Sequence, residues 1–253
     1  MMAQPDMIAQ ELQKSIDENI ETASREIAKK EHLPQDQLMT LDAHAKTIQH
    51  QLSQYMLLAK KHIADGFVFC VESIKEIART DDSINLETLE HALTESFSRL
   101  DTVATIKDMS SKVVDGTSWK ELLGLTDDTL QILYKGAKRL FDNGNHPQAE
   151  AAFFFLTTVD FKQYAFWLGL GHAAFHLGNH NQAINAYEMA DSCCPSSIWP
   201  HIYMANCFEA QMDYQESLTA LEKAQLELNN SQEKDPHLEV DLRERIANAK
   251  KRA

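Results

Sequence analysis

One pattern returns every 34 residues between Leu133 and Ala224, and it limits the folds open to this chain more than any other feature. The middle copy is the clearest: Trp167, Leu170, Gly171, Gly178, Ala183, Tyr187, Ala190 and Pro195. One period earlier stand Leu133, Gly136, Ala137, Gly144, Ala149, Phe153, Leu156 and Phe161. One period later stand His201, Met204, Ala205, Met212, Ser217, Leu221, Ala224 and Asn229. The turns follow suit, as Gly144-Asn145-His146, Gly178-Asn179-His180 and Met212-Asp213-Tyr214. A short unit repeated in register cannot bury its apolar face alone, so its copies must stack.

This order of aromatic, small and turn residues matches the tetratricopeptide signature, in which each unit is an antiparallel helix pair, A then B. The expected pairs are 127–142 with 147–160, 163–177 with 181–193, and 198–211 with 215–229. Ala137, Gly171 and Ala205 are small where helix A meets helix B, and Ala149, Ala183 and Ser217 are small on the opposing side. A larger residue would overpack these contacts. Phe153, Tyr187 and Leu221 fill the space between neighbouring units. Gly144 and Gly178 suit the positive φ that ends a helix tightly. Met212, at the same place in the third unit, requires a less demanding turn or some strain. After a polar break, Asp235 caps a last helix that starts at Pro236 and carries Leu238, Leu242 and Ile246 on one face. A repeat array must cover its last open face, and this helix does so. The expected fold is all-α: three tandem helix pairs and a C-terminal capping helix, an α-solenoid, preceded by an N-terminal helical bundle or coiled coil.

That N-terminal part, residues 1–115, is expected as one region, and 116–253 as the repeat domain. Apolar residues recur at helical intervals over 7–31, over Asp36 to Ala64, over Phe67 to about Thr80, and over Leu86 to Asp108. His32-Leu33-Pro34-Gln35 breaks the first from the second, and Asp65-Gly66 reads as a bend between the second and third. The same stripes serve equally for a core and for a dimer or partner interface. Ser110 to Thr117 is polar and carries the Asp115-Gly116 turn, so the boundary is placed there. A short helix follows, capped by Thr117 or Ser118, with Glu121 three residues beyond Ser118 as in a capping box, closed by Gly124, and packed through Trp119, Leu122 and Leu123 onto the first unit.

A formal net charge of −14 argues against nucleic acid and anionic membrane surfaces, both of which favour basic proteins. No apolar run reaches the ~18 residues of a membrane span, and the N-terminus lacks a secretory pattern. Four cysteines without framework spacing suit a reducing compartment. Cys193-Cys194 reads as two buried small hydrophobes at a helix end. No phosphate loop, nucleophile elbow or metalloprotease motif occurs, so the chain reads as non-catalytic and cofactor-free. His172, His176 and His180 have a helical ligand spacing, but Gly178 interrupts the helix before His180 and no thiol or carboxylate completes a site. No metal is expected.

Helix A side chains of such an array line its concave face. The expected lining is Tyr134, Lys138 and Phe141 (with Asp142 beside them) from the first unit, Leu168, His172, Phe175 and His176 from the second, and Trp199, Ile202 and Asn206 from the third. This is an aromatic groove suited to an extended peptide with hydrophobic anchors. A carboxylate clamp needs paired Lys, Asn and Arg donors. The corresponding places hold Tyr134, Lys138, Gly169, Trp199 and Tyr203, so a chaperone-tail adaptor of that kind is not expected.

The run Leu125-Thr126-Asp127-Asp128-Thr129-Leu130, with Leu133-Tyr134, Gly136-Ala137, Gly144 and Ala149 after it, and above all Phe166-Trp167-Leu168-Gly169-Leu170-Gly171, resembles the class II chaperones of bacterial type III secretion. The resemblance covers about Trp119 to Ala224. It implies three such repeats, a bacterial cytoplasmic location, and a client: a secreted, pore-forming translocator protein whose short segment with proline and leucine anchors lies in the groove. It also implies that Tyr134 and Phe141 are groove aromatics, while Lys138 departs from the usual aromatic. Residues 1–115 are far longer than the family's N-terminal part, and a homodimer is one use for them. The reading beside this one is a general scaffold that assembles a complex through its groove and N-terminal helices.

Overall fold

The computed structural model describes residues 14, 17–18, 20–29, 41–81, 84–99, 108, 112, 115–231 and 235–252. The expected break at 32–35 and half of the boundary at 110–117 lie outside these residues. Ten helices carry the described fold. They are α1 (Leu41–Ile77), α2 (Leu86–Ser98), α3 (Trp119–Leu123), α4 (Asp127–Asp142), α5 (His146–Val159), α6 (Tyr164–His176), α7 (His180–Cys193), α8 (Trp199–Ala210), α9 (Tyr214–Asn230) and α10 (Pro236–Arg252). Residues 20–29 are helical as well. No strand occurs among the described residues.

The three helix pairs α4–α5, α6–α7 and α8–α9 fall where the 34-residue period puts them. Their termini follow local chemistry. The Thr126 hydroxyl accepts the Thr129 amide at the start of α4, and Asp213 does the same for Glu216 at the start of α9. Ser118 accepts the Glu121 amide, and Gly124 closes α3 at φ 68°. Asp235 accepts the amides of His237 and Leu238 and opens α10.

The units meet as their small residues require. A Cβ added at Gly171 would lie 2.3 Å from the Tyr187 ring, and one at Gly169 2.3 Å from Phe153. Two glycines on one helix thus admit aromatics from the B helices of repeats 1 and 2. Tyr187, Leu156, Leu221 and Leu133 are fully or almost fully buried, each contributing roughly 1.5–3 kcal/mol by leaving water. Leu242 and Ala249 of α10 close the end of the same interior.

The N-terminal region departs from expectation in two places. Asp65-Gly66 is no bend, since α1 runs unbroken through it. Gly66 instead lies against α5: a Cβ there would come within 2.0 Å of the Ala151 carbonyl oxygen and 2.9 Å of Phe155. Gly136 plays the matching part on α4, facing the Cys70 carbonyl of α1 at 2.7 Å from its would-be Cβ. Two missing side chains thus let α1 settle onto both helices of the first repeat. Cys70, Ile74, Ile84, Leu89 and Leu93 share one apolar cluster with Leu130, Leu133, Phe153 and Phe155. A single interior therefore crosses position 115. The second departure is α2, which ends at Ser98 with Arg99 as its cap, while residues 100–107 of the expected helix lie outside the described residues.

Met212 takes the strained alternative. Its φ is 60°, in the left-handed region where Gly144 and Gly178 sit at 77°. Its side chain is 75% exposed and so gains little by packing. Met212→Gly should therefore stabilise the chain by about 1 kcal/mol, because the left-handed conformation costs a Cβ-bearing residue roughly that much. Denaturant titration of the two proteins measures it, and an unchanged or lower midpoint refutes it.

Candidate functional site

The rings carried by and packed against α4, α6 and α8 form two sets. Tyr134 stacks on Phe166 at 5.8 Å and meets Phe153 edge-on at 6.0 Å. Phe141 lies 6.1 Å from His172 and 5.3 Å from His176. His172 meets Tyr203 at 4.5 Å, almost perpendicular, and Tyr203 stacks on Trp199 at 6.1 Å. Phe175 packs on His180 at 5.4 Å. The second set thus runs from Phe141 in the first repeat to Trp199 in the third, and Trp199 at its far end is 46% exposed.

The helices place these rings through the same spacing that makes the repeats. Phe141 and Phe175 occupy equivalent positions one period apart, as do His146 and His180 in the first turn of the B helices. Loops tie down the edges. The Trp167 indole donates to the Phe161 carbonyl at 2.7 Å, and the Tyr164 and Ser197 hydroxyls are 2.7 Å apart.

The expected lining residues fare differently. Tyr134, Phe141, Leu168, His172 and Phe175 are half-buried, each packed at the margin of the interior, and Lys138 is exposed. Lys138 donates to Asp142 one turn on, at 2.6 Å, so its charge is already matched. Ile202 is corrected. At 7% exposure it belongs to the interior of repeats 2 and 3, because the next layer covers its face of α8. Asn206 is also engaged: Arg245 of the capping helix donates to its Oδ1 at 2.7 Å and to Glu209 at 3.0 Å. Glu209 takes a further bond from the buried Ser217 hydroxyl. The capping helix therefore contributes Arg245 to the third-repeat wall, which sequence spacing on helix A alone could not reveal.

His146 is the other residue missed. It lies on a B helix, yet its ring stacks on His176 at 4.6 Å with 16° between planes, and touches Phe141 at 5.2 Å. Its equivalence to His180 across one period was the available signal. No group of three His, Cys, Asp or Glu side chains among the described residues has a metal-holding arrangement. Burial, then the charge of His176, holds His172 below the ordinary histidine range. Burial pushes the Tyr203 phenol up.

Cys193 and Cys194 are half-buried, which corrects their reading as buried hydrophobes; the Cys193 thiol donates to the Phe161 carbonyl at 3.4 Å. The fully enclosed thiols are Cys70 and Cys207, and burial pushes Cys207 up to about 12. Burial raises the Cys70, Cys193 and Cys207 thiols, the opposite of the depression that makes a cysteine nucleophilic. No helix of the described residues is long and apolar enough to cross a membrane.

No protein-family model and no curated protein matches the chain in sequence. Solved structures similar to it include the type III secretion translocator chaperone SycD of Yersinia enterocolitica. It is 23% identical, with 52% of this chain covering 98% of that one at a TM-score of 0.49. A T3SS complex from Aeromonas hydrophila is 23% identical, covers 57% of this chain and 91% of its own, and has a TM-score of 0.48. PcrH in complex with the chaperone binding region of PopD is 21% identical, covers 51% and 96%, and has a TM-score of 0.48.

Proposed function

We propose that this chain is a type III secretion chaperone that binds a translocator protein through its concave groove and keeps it soluble before export. The observation that carries this reading is the connected aromatic wall from Phe141 through His172 and Tyr203 to Trp199. Rings held by one another cost little to order when a ligand arrives, and aromatic residues supply most of the binding energy at such surfaces. The Phe166–Gly171 run supports the particular family. A translocator carries apolar helices that aggregate in water; an acidic partner that covers one of them raises the soluble fraction by mass action. The action is binding alone, in the bacterial cytoplasm, as a homodimer.

Co-expression with the product of a neighbouring gene that encodes a membrane-inserting secreted protein tests this. The client should be soluble and co-purify with this chain. Phe141→Ala and Phe175→Ala should each weaken the complex by at least about tenfold, the scale of an aromatic hot spot losing ~2 kcal/mol. A client that stays insoluble, or a complex indifferent to both substitutions, sinks the groove reading. A complex lost only on removing residues 1–115 favours a scaffold that assembles through its N-terminal helices.

A further inference from the structure

A crevice lies away from the aromatic wall, between α9 and the capping helix α10. Its volume is about 400 Å³, and Gln225, Asn229, Arg243, Ile246, Ala247 and Lys250 line it. Arg245, which reaches α8, stands two residues from both Arg243 and Ala247 and so leaves α10 from the opposite flank. The crevice and the groove are therefore separate surfaces. We propose that the crevice docks a short acidic segment of a second protein, one that presents aliphatic side chains between carboxylates. This reading is independent of the groove and of what the groove binds.

The apolar part of the crevice calls for aliphatic side chains. Half-buried Ile246 and the small Ala247 form its floor. Leu226 and Val240 are 58% and 55% exposed. Leu226 adjoins Gln225, and Val240 stands one turn before Arg243, so helical spacing puts them on the two outer rims. Single exposed apolar residues are ordinary, but two that border one cleft extend its apolar surface.

The charged part calls for carboxylates. Arg243 and Lys250 stand two turns apart on the same face of α10. Arg243 pairs with Glu239 at 2.5 Å, and Lys250 with Glu222 at 3.0 Å. Exposed pairs of this kind are held weakly, and each cation keeps N–H donors beyond the one it uses. Lys251 adds a charge beside Lys250 that enters no ion pair among the described residues. The chain as a whole carries −14 and repels an acidic ligand, so a preference for one must arise locally.

Gln225 distinguishes a peptide from a simple organic acid. Its Oε1 is buried and accepts no hydrogen bond, while its amide nitrogen donates to Asn229 at 3.3 Å. A buried acceptor without a donor is costly, and a peptide backbone N–H supplies that donor. A free carboxylate has none to give.

The test uses the full chain and a rhodamine-labelled hexapeptide, two central leucines between pairs of aspartates, followed by fluorescence anisotropy. It should bind saturably with a dissociation constant below about 1 mM. The same peptide with lysines for aspartates should bind at least about tenfold more weakly. The double variant Arg243→Glu, Lys250→Glu should weaken the acidic peptide by at least about tenfold; both residues are exposed, so it should fold normally. Methylating the two leucine nitrogens should weaken binding by about fivefold in the unaltered chain and little in Gln225→Leu, which has no acceptor left to satisfy. Absence of binding at 1 mM, equal affinity for the lysine peptide, or indifference to the double variant overturns the proposal. So does loss of the acidic peptide in Phe141→Ala, which would place it in the groove and leave the groove reading standing. If the peptide fails while the double variant alters the sedimentation of the free chain, the crevice joins two copies of this chain and the proposal is likewise overturned.

Discussion

Substituting valine for Gly66 is expected to lift α1 off the first repeat and cost about 3 kcal/mol. No small adjustment makes room, because the would-be Cβ meets the Ala151 carbonyl oxygen at 2.0 Å and Ala151 carbon at 2.6 Å, both backbone. The backbone of α5 cannot turn aside as a flexible side chain would. Overpacking of this kind costs 1–3 kcal/mol where side chains give, and lies at or above the top of that range where they cannot. At roughly 2–4 °C per kcal/mol for a chain of this size, Tm should fall by about 6–12 °C. Val68→Ala, two residues on and largely exposed, serves as control and should stay within ~0.5 kcal/mol. Equal melting of Gly66→Val and the unaltered chain would mean that α1 does not pack on α5 as described.

Tyr187→Ala should do comparable damage by the opposite means. The ring is almost wholly buried, packs into the space left by Gly171, and backs both His172 at 5.8 Å and Tyr203 at 5.4 Å. Removing it leaves a void that a glycine helix cannot refill. The expected cost is about 3–5 kcal/mol, as for other large aromatics cut to alanine in a core. A second effect is expected under conditions where the variant stays folded. Tyr203 and His172 lose their support, so client affinity should fall although Tyr187 itself is not on the surface. Equilibrium unfolding gives the first quantity and the anisotropy of a labelled client peptide the second. A loss of stability below ~1 kcal/mol would contradict the packing, and unchanged affinity would separate the groove wall from its backing.

The repeat architecture was legible because it depends on a period, and a period survives in the sequence without knowledge of neighbours. Helix limits within the first two repeats followed from Gly144 and Gly178, whose effects are local, whereas the caps Thr126 and Asp213 were read only from the structure. Gly66 was illegible for the complementary reason. Next to an aspartate it carries the signal of a turn, and only the proximity of α5 shows that its role is to have no side chain. Helix spacing placed Phe141, His172 and Phe175 at the partly open margin of α4 and α6, but it could not show what Ile202 and Asn206 meet, which is set by the interior of repeats 2 and 3 and by Arg245. The His146–His176 stack joins residues 30 apart on unlike helices. It becomes visible only once the superhelix brings the start of one B helix beside the end of the next A helix.

The two end helices also bear on how many such molecules can join, and in what manner. Stacked repeats expose at each end a surface that another repeat could continue, which would let copies add head to tail into an open filament. Here α1 occupies one terminus and α10 the other, the first through Gly66 and Gly136, the second through Leu242 and Ala249. Both termini are thereby spent within the molecule. Head-to-tail growth by continued repeat stacking is blocked at both covered faces.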